Sequence, residues 1–152
     1  IGSPEQIRAH LTALEDAGVG VLINRYANVT RQGGDVVVAG LDDDMTGDPD
    51  FARALDGAEG MDTIVISHSP DPFAKMPEGP ALMIAAHSHC GQVTIPLLGR
   101  PILPIRNRSH ACHLVEENGR ALYVTAGIGT SILPLRFLNP PEIVLLTLRG
   151  AR

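Results

Sequence analysis

A strand-rich α/β fold is predicted for this chain by three features of its sequence. A well-punctuated helix, SPEQIRAHLTALEDAG, stands near the start. Two continuous apolar runs, DTIVISH and ALMIAAH, have the form of strands covered on both faces. A hairpin pattern follows, with strands around HACHLV and RALYVTA and a turn at ENG. At 152 residues the chain suits one domain, 1–152, with a core of its own.

In chain order, Ser3 is placed to cap the helix, Pro4 takes its first position and Gln6 completes a capping box. Ile7, Leu11 and Leu14 form an apolar stripe, and Gly18 supplies the stop. VGVLIN and DVVVAG read as strands around the turn RQGG. Asp48 and Pro49 mark the start of a short helix. After the hairpin, PPEIVLLTLRG reads as one more strand.

Composition narrows the function. Hydrophobic residues at 44% and charged residues at 19% describe a globular chain rather than a disordered one. The net charge of −5 is scattered in short clusters, so nothing signals a nucleic-acid partner. Cys90 and Cys112 make no disulfide framework and leave a reducing compartment open. The chain shows neither a signal-peptide pattern nor a membrane-spanning run, which suggests a cytoplasmic or membrane-associated setting.

The chemistry-bearing residues are histidines. The apolar runs at 63–67 and 81–86 end on His68 and His87, and strand carboxyl ends are where open α/β sheets bind ligands. His89 follows His87 at i+2, which in extended chain sends both imidazoles to one side. A lone histidine there is ordinarily a capped surface residue. Three converging ones suit a transition metal such as zinc, manganese or iron. Asp71, in SHSPD, lies near enough to orient His68.

SHSPD, AAHSHCGQ, YVTAGIGTSILPLRF and PPEIVLLTL, in this order, resemble the second half of calcineurin-like metallophosphoesterases, above all their small bacterial, often membrane-associated branch. There the pattern runs from a histidine with a following Pro-Asp through Gly-His-Thr-His-Gly-Gly-Gln and Gly-x-Gly-Thr-Ser to Pro-Pro-Glu-Ile. The resemblance implies the C-terminal half of a four-layer α-β-β-α sandwich, a mixed sheet and then an antiparallel hairpin. It makes His68 and His87 ligands of one divalent ion and His89 a ligand of a second. Two such ions (manganese, zinc, iron or magnesium) clamp a phosphate ester for in-line displacement.

Several of the family's motifs do not occur here: Asp-x-His, Gly-Asp-x-x-Asp and Gly-Asn-His-Asp/Glu. With them go the bridging aspartate, the asparagine ligand and the histidine that protonates the leaving group. The resemblance therefore implies the C-terminal half of a phosphoesterase. Alone it would be inactive and would hold at most one weakly bound ion. It would also expose a strand edge that pairs with an N-terminal half or with another copy.

Within the motif, Ala86 and Cys90 replace glycines. Cys90 reads as a small packed residue. The alternative is a non-catalytic scaffold with a structural ion at His87, His89 and Cys90. Arg136 suits a substrate phosphate or a surface ion pair. DDDMTGDPD starts like a calcium loop but has Arg53 where the closing glutamate belongs, so it reads as a turn and cap. GIGTS reads as a turn lining the cleft, and Cys112 and His113 should alternate to opposite faces of a strand. His10 and His110 carry no assignment.

Overall fold

Ser3 caps the first helix through both arms of the capping box in the computed structural model, which describes residues 3–31 and 34–149. Its hydroxyl accepts from Gln6 N at 3.3 Å, and its own N–H donates to Gln6 Oε1 at 2.7 Å. This helix, α1 (Pro4–Asp16), ends in a Schellman motif. Gly18 sits at φ +80°, and the amides of Gly18 and Val19 donate to Glu15 O and Leu14 O. The apolar stripe is not buried as expected: Ile7 and Leu14 remain 44% and 45% exposed.

VGVLIN is not a strand. Asn24, left-handed at φ +47° and buried, ends that segment by binding the acidic loop. Its Nδ2 donates to Asp48 O at 2.7 Å, and its Oδ1 accepts from the amides of Asp42 and Asp50 at 3.0 Å. Strand β1 (Arg25–Arg31) follows and pairs antiparallel with β2 (Gly34–Gly40). Gln32 and Gly33 of the RQGG turn lie outside the described residues. The 20–24 segment crosses the end of β2 so closely that a Cβ at Gly40 would stand 2.4 Å from Leu22 O.

Helix α2 (Phe51–Ala54) is capped by Asp50 rather than Asp48. Asp48 belongs to the acidic loop, where its N–H donates to Asp42 Oδ2 at 3.1 Å, while Asp50 Oδ1 accepts from Arg53 N at 3.1 Å. Both expected apolar strands form, β3 (Thr63–Ile66) and β4 (Leu82–Ala85), parallel to β2 and to each other. The hairpin β5 (His113–Glu117) and β6 (Arg120–Val124) turns at Asn118-Gly119, with φ of +53° and +73° as an Asn-Gly turn requires. Strand β6 lies parallel to β4, giving one mixed sheet in the order β1-β2-β3-β4-β6-β5. The hairpin thus extends the same sheet, and no second sheet occurs among the described residues.

Among the described residues only one face of this sheet is covered, contrary to the reading of its apolar runs. Val37, Ala39, Val65, Met83, Ala85, Leu122 and Val124 pack there beneath Ala54, Phe73 and Met76. On the opposite face Ile66, Ile84, Tyr123 and Leu114 form a row across the sheet, and Ile66 and Leu114 stay 46% and 57% exposed. The expected last strand is absent: residues 142–149 join no ladder, and Ile143 and Leu145 are 90% and 91% exposed. No helix among the described residues is long and apolar enough to cross a membrane.

Phe73 anchors the covered face. It is fully buried, with the His110 ring edge-on at 5.2 Å and the Arg120 guanidinium 5.3 Å from its centroid. Phe73→Ala is expected to cost roughly 3–5 kcal/mol, read as a lower urea midpoint with an unchanged slope.

Candidate metal centre

The parallel pairing of β3 with β4 brings His68 and His87 together just beyond the carboxyl ends of the two strands. The amide of Ala86 donates to His68 O at 3.0 Å, and the two imidazole centroids are 4.6 Å apart. A cleft of about 230 Å³ opens beside His68, between the 20–22 segment and the ends of β2 and β3.

His87-Ser88-His89 is not the extended stretch its spacing suggests. His87, His89 and Cys90 all take left-handed backbone, at φ +60°, +47° and +54°. Conformations of this kind are sparsely populated by non-glycine residues and need surrounding structure to hold them. Ser88 provides it: its hydroxyl donates to Ala111 O at 2.6 Å and accepts from Cys90 N at 3.2 Å.

Main-chain carbonyls decide which ring nitrogens remain free. His87 Nε2 lies 3.1 Å from Pro104 O. A carbonyl only accepts, so Nε2 carries the proton and Nδ1 keeps its lone pair. His89 Nδ1 lies 3.3 Å from Ala126 O and 3.4 Å from Arg136 Nη2. That Arg136 nitrogen already has Gly129 O at 2.5 Å and Ala126 O at 2.6 Å, so its two protons are taken. Ala126 O only accepts, so a bond at this contact runs from His89 Nδ1, and in the neutral ring that tautomer leaves the Nε2 lone pair free. A second ring nitrogen tied to a carbonyl is how ligating histidines are ordinarily oriented.

Partial burial lowers the His68 pKa, and the imidazoles of His87 and His89 add to the shift against the opposing charge of Asp43. The neutral, ligating form is thereby favoured. Asp43 closes its own loop, its Oδ1 accepting from Met45 N, Thr46 N and Thr46 Oγ1 at 2.9, 2.8 and 2.9 Å. Burial raises its pKa, but these donors and His68 outweigh burial and hold the carboxyl below its ordinary value. The acidic loop is thus the self-tied turn its sequence suggested. A Cβ at Gly47 would meet the Asp42 carboxylate at 2.4 Å.

Other candidates are placed differently from expectation. Asp71 holds the loop beyond Pro104 rather than His68, its carboxylate accepting from Arg106 N at 2.9 and 3.0 Å and from Asn107 N at 3.4 Å. Arg106, which it holds, follows Pro104 by two positions, and Pro104 O lies 3.1 Å from His87 Nε2. Arg136 engages neither a surface acid nor an open anion site. Its guanidinium is spent on the carbonyls of Ala126, Gly127, Gly129 and Asn139. Cys90 is buried and disulfide-bonded to Cys112, with Cα atoms 4.8 Å apart. Its sulfur is therefore unavailable to an ion shared with His87 and His89. His110 is 1% exposed, with Nε2 near Asn107 Nδ2 at 3.0 Å and Glu117 Oε2 at 3.3 Å.

Among the described residues, the group of three ligand-bearing side chains drawn within 4.8 Å of one another is Cys90, Cys112 and His113. His68, His87 and His89 do not close into such a cage. Of the three, His68 lines the cleft beside the ends of β2 and β3.

Glu142 was missed as a site residue. Its carboxylate accepts from Thr125 Oγ1 at 3.0 Å and Ala126 N at 2.7 Å, and it faces His113 Nε2 at 3.4 Å. The two prolines before it were the available signal, since proline is unsuited to a central strand. The Ala126 amide holds the Glu142 pKa below its ordinary value; burial opposes this, and Thr125 and His113 reinforce it. A depressed carboxyl stabilises the fold above its unfolded pKa, and that contribution is lost as pH falls through the folded value. Glu142→Gln should therefore lower the Tm at neutral pH, and the gap to the native chain should close below about pH 4.

No protein-family model matches the chain, and no solved structure matches it. Curated relatives do match it. Over 136 residues it is 33% identical to the uncharacterized metallophosphoesterase YkuE of Bacillus subtilis, covering 88% of this chain and 48% of that protein. It is 29% identical over 136 residues to the phosphodiesterase YaeI of Escherichia coli, covering 89% and 49%. An uncharacterized metallophosphoesterase of Aquifex aeolicus is 27% identical over 147 residues, covering 92% and 54%. The chain spans about half the length of these relatives, two named metallophosphoesterases and one a phosphodiesterase, and its similarity to them supports the metallophosphoesterase family.

Proposed function

We propose that this chain provides the histidine side of a two-metal centre that hydrolyses phosphomonoesters or phosphodiesters. The observation that carries the reading is the pair of opposed ring contacts, with His87 meeting a carbonyl through Nε2 and His89 through Nδ1. In the neutral rings those contacts leave His87 Nδ1 and His89 Nε2 free. His87, with His68 beside it, would serve one ion, and His89 would serve the other. When bound, divalent ions supply Lewis acidity for the phosphate ester and a nucleophile at neutral pH. The chain's own contribution is orientation: Pro104 and Ala126 hold the rings, and Ser88 holds the turn between them.

Neutral imidazoles alone bind two dications poorly, so the carboxylates come from elsewhere in a complete enzyme. Equilibrium dialysis against manganese should give no more than one weakly held ion per chain. His68→Ala or His87→Ala should weaken that ion at least about tenfold, the scale even an outer partner of a ligand reaches. Two tightly held ions would overturn the reading, because this chain would then contain its own carboxylate ligands. Hydrolysis of bis(p-nitrophenyl) phosphate should be absent from the chain alone and return when the segment bearing the absent motifs is supplied.

The open sheet face supports the same reading. The row Ile66, Ile84, Tyr123 and Leu114 and the uncovered stripe of α1 offer apolar area that a second layer would cover. Without that layer the chain should associate with itself. Its weight-average sedimentation coefficient should rise across a hundredfold range of concentration, and Ile66→Glu with Leu114→Glu should suppress the rise. A constant monomeric value throughout would remove this part of the proposal.

A further inference from the structure

The tightest cluster of ligand-bearing side chains stands apart from the histidine tautomers. Cys90, Cys112 and His113 bring their sulfurs and a ring nitrogen within 4.8 Å of one another. Cys90 lies inside the short turn His89–Gly91, and Cys112 immediately precedes His113, the first residue of β5. Strand alternation would separate Cys112 from His113, but His113 takes φ +60°, and its ring reaches the same corner as the sulfurs. Glu142 Oε2 lies 3.4 Å from His113 Nε2, so an oxygen donor stands beside the imidazole.

We propose that reduction of the Cys90–Cys112 disulfide turns this corner into a site for a zinc-class ion. Its ligands would be the two cysteine sulfurs and the His113 imidazole, with the Glu142 carboxylate or a water completing a tetrahedron. Two thiolates and an imidazole are the donor set that selects zinc over the harder ions a phosphoesterase centre takes from oxygen ligands. The chemistry balances with a dithiol as reductant. Two electrons and two protons pass to the sulfurs as the S–S bond breaks, and the dithiol leaves as its cyclic disulfide. A divalent ion then displaces both thiol protons. Tetrahedral zinc at about 2.3 Å from each sulfur holds the two sulfurs just under about 4 Å apart, a separation that cysteines with Cα atoms 4.8 Å apart can reach. The site exists only in the reduced chain, so the thiol–disulfide state beside His89 decides whether this ion is present.

The probe is cobalt(II), added to the chain as purified and to the chain reduced with a dithiol and desalted without air. Reduction should add one ion per chain, with thiolate-to-cobalt absorption in the near ultraviolet and the visible bands of a tetrahedral ion. The oxidised chain should show neither. His113→Ala keeps both cysteines and should weaken the reduced-state ion at least tenfold, and Cys112→Ser should abolish the thiolate band. His89→Ala should leave that band intact, which separates this site from the histidine centre: two manganese ions held tightly by the native chain, with the band retained on reduction, would fail the centre and spare this proposal. Equal cobalt binding by oxidised and reduced chains, or a reduced chain with no thiolate band, would overturn it and leave the disulfide a purely structural tie.

Discussion

The peptide unit at Ala126 carries more of the candidate centre than any single side chain does. Its N–H is held by the Glu142 carboxylate, and its C=O is shared between Arg136 and His89. Strand β6 ends two residues earlier, so nothing in the sheet ladder fixes this peptide. A charged group on each side does that instead, and charge-assisted bonds are about twice as strong as neutral ones. The orientation of His89 depends on that carbonyl, which lies 3.3 Å from Nδ1. Arg136 and Glu142 are thus tied to the site through backbone, with no contact to a substrate required.

The histidine turn is held in the same way. His87, His89 and Cys90 sit in left-handed backbone, each at a cost of order 1–3 kcal/mol. Ser88 between them, the disulfide behind them and the Pro104 carbonyl above His87 offset that cost together. Strain concentrated on ring-bearing residues, with surrounding structure to hold it, marks a turn shaped for where its side chains must go. An extended His-x-His would aim both imidazoles one way. The left-handed turn and the two carbonyls instead present opposite ring nitrogens.

What the sequence made legible follows from what each feature needs. The capping box, the glycine stop, the two parallel strands and the Asn-Gly hairpin are local, and each formed as its residues dictate. Burial was less legible, because a continuous apolar run records only that a strand suits a covered position. Whether a cover forms is a separate matter, and among the described residues none covers Ile66 or Leu114. The histidines were visible as residue types at strand ends. Their orienting partners were not, because Pro104 and Ala126 act through carbonyls, which every residue carries. The pairing of Cys90 with Cys112 spans 22 residues and needed the fold to bring β4 and β5 to one corner.

Under the proposed function, the uncovered face and the carboxylate-poor centre share one explanation. A mixed sheet with a long apolar row on its open face gains stability when a second layer removes that area from water, at about 25 cal/mol per Å². A centre with only neutral donors gains affinity when carboxylates bring negative charge to the ions. A segment that packed on the Ile66–Leu114 row would lie on the sheet whose carboxyl ends deliver His68 and His87. The same docking could therefore complete the core and the ligand set together. In such an arrangement metal affinity and folding stability are linked quantities, since an ion that binds only the docked state stabilises that docking by mass action.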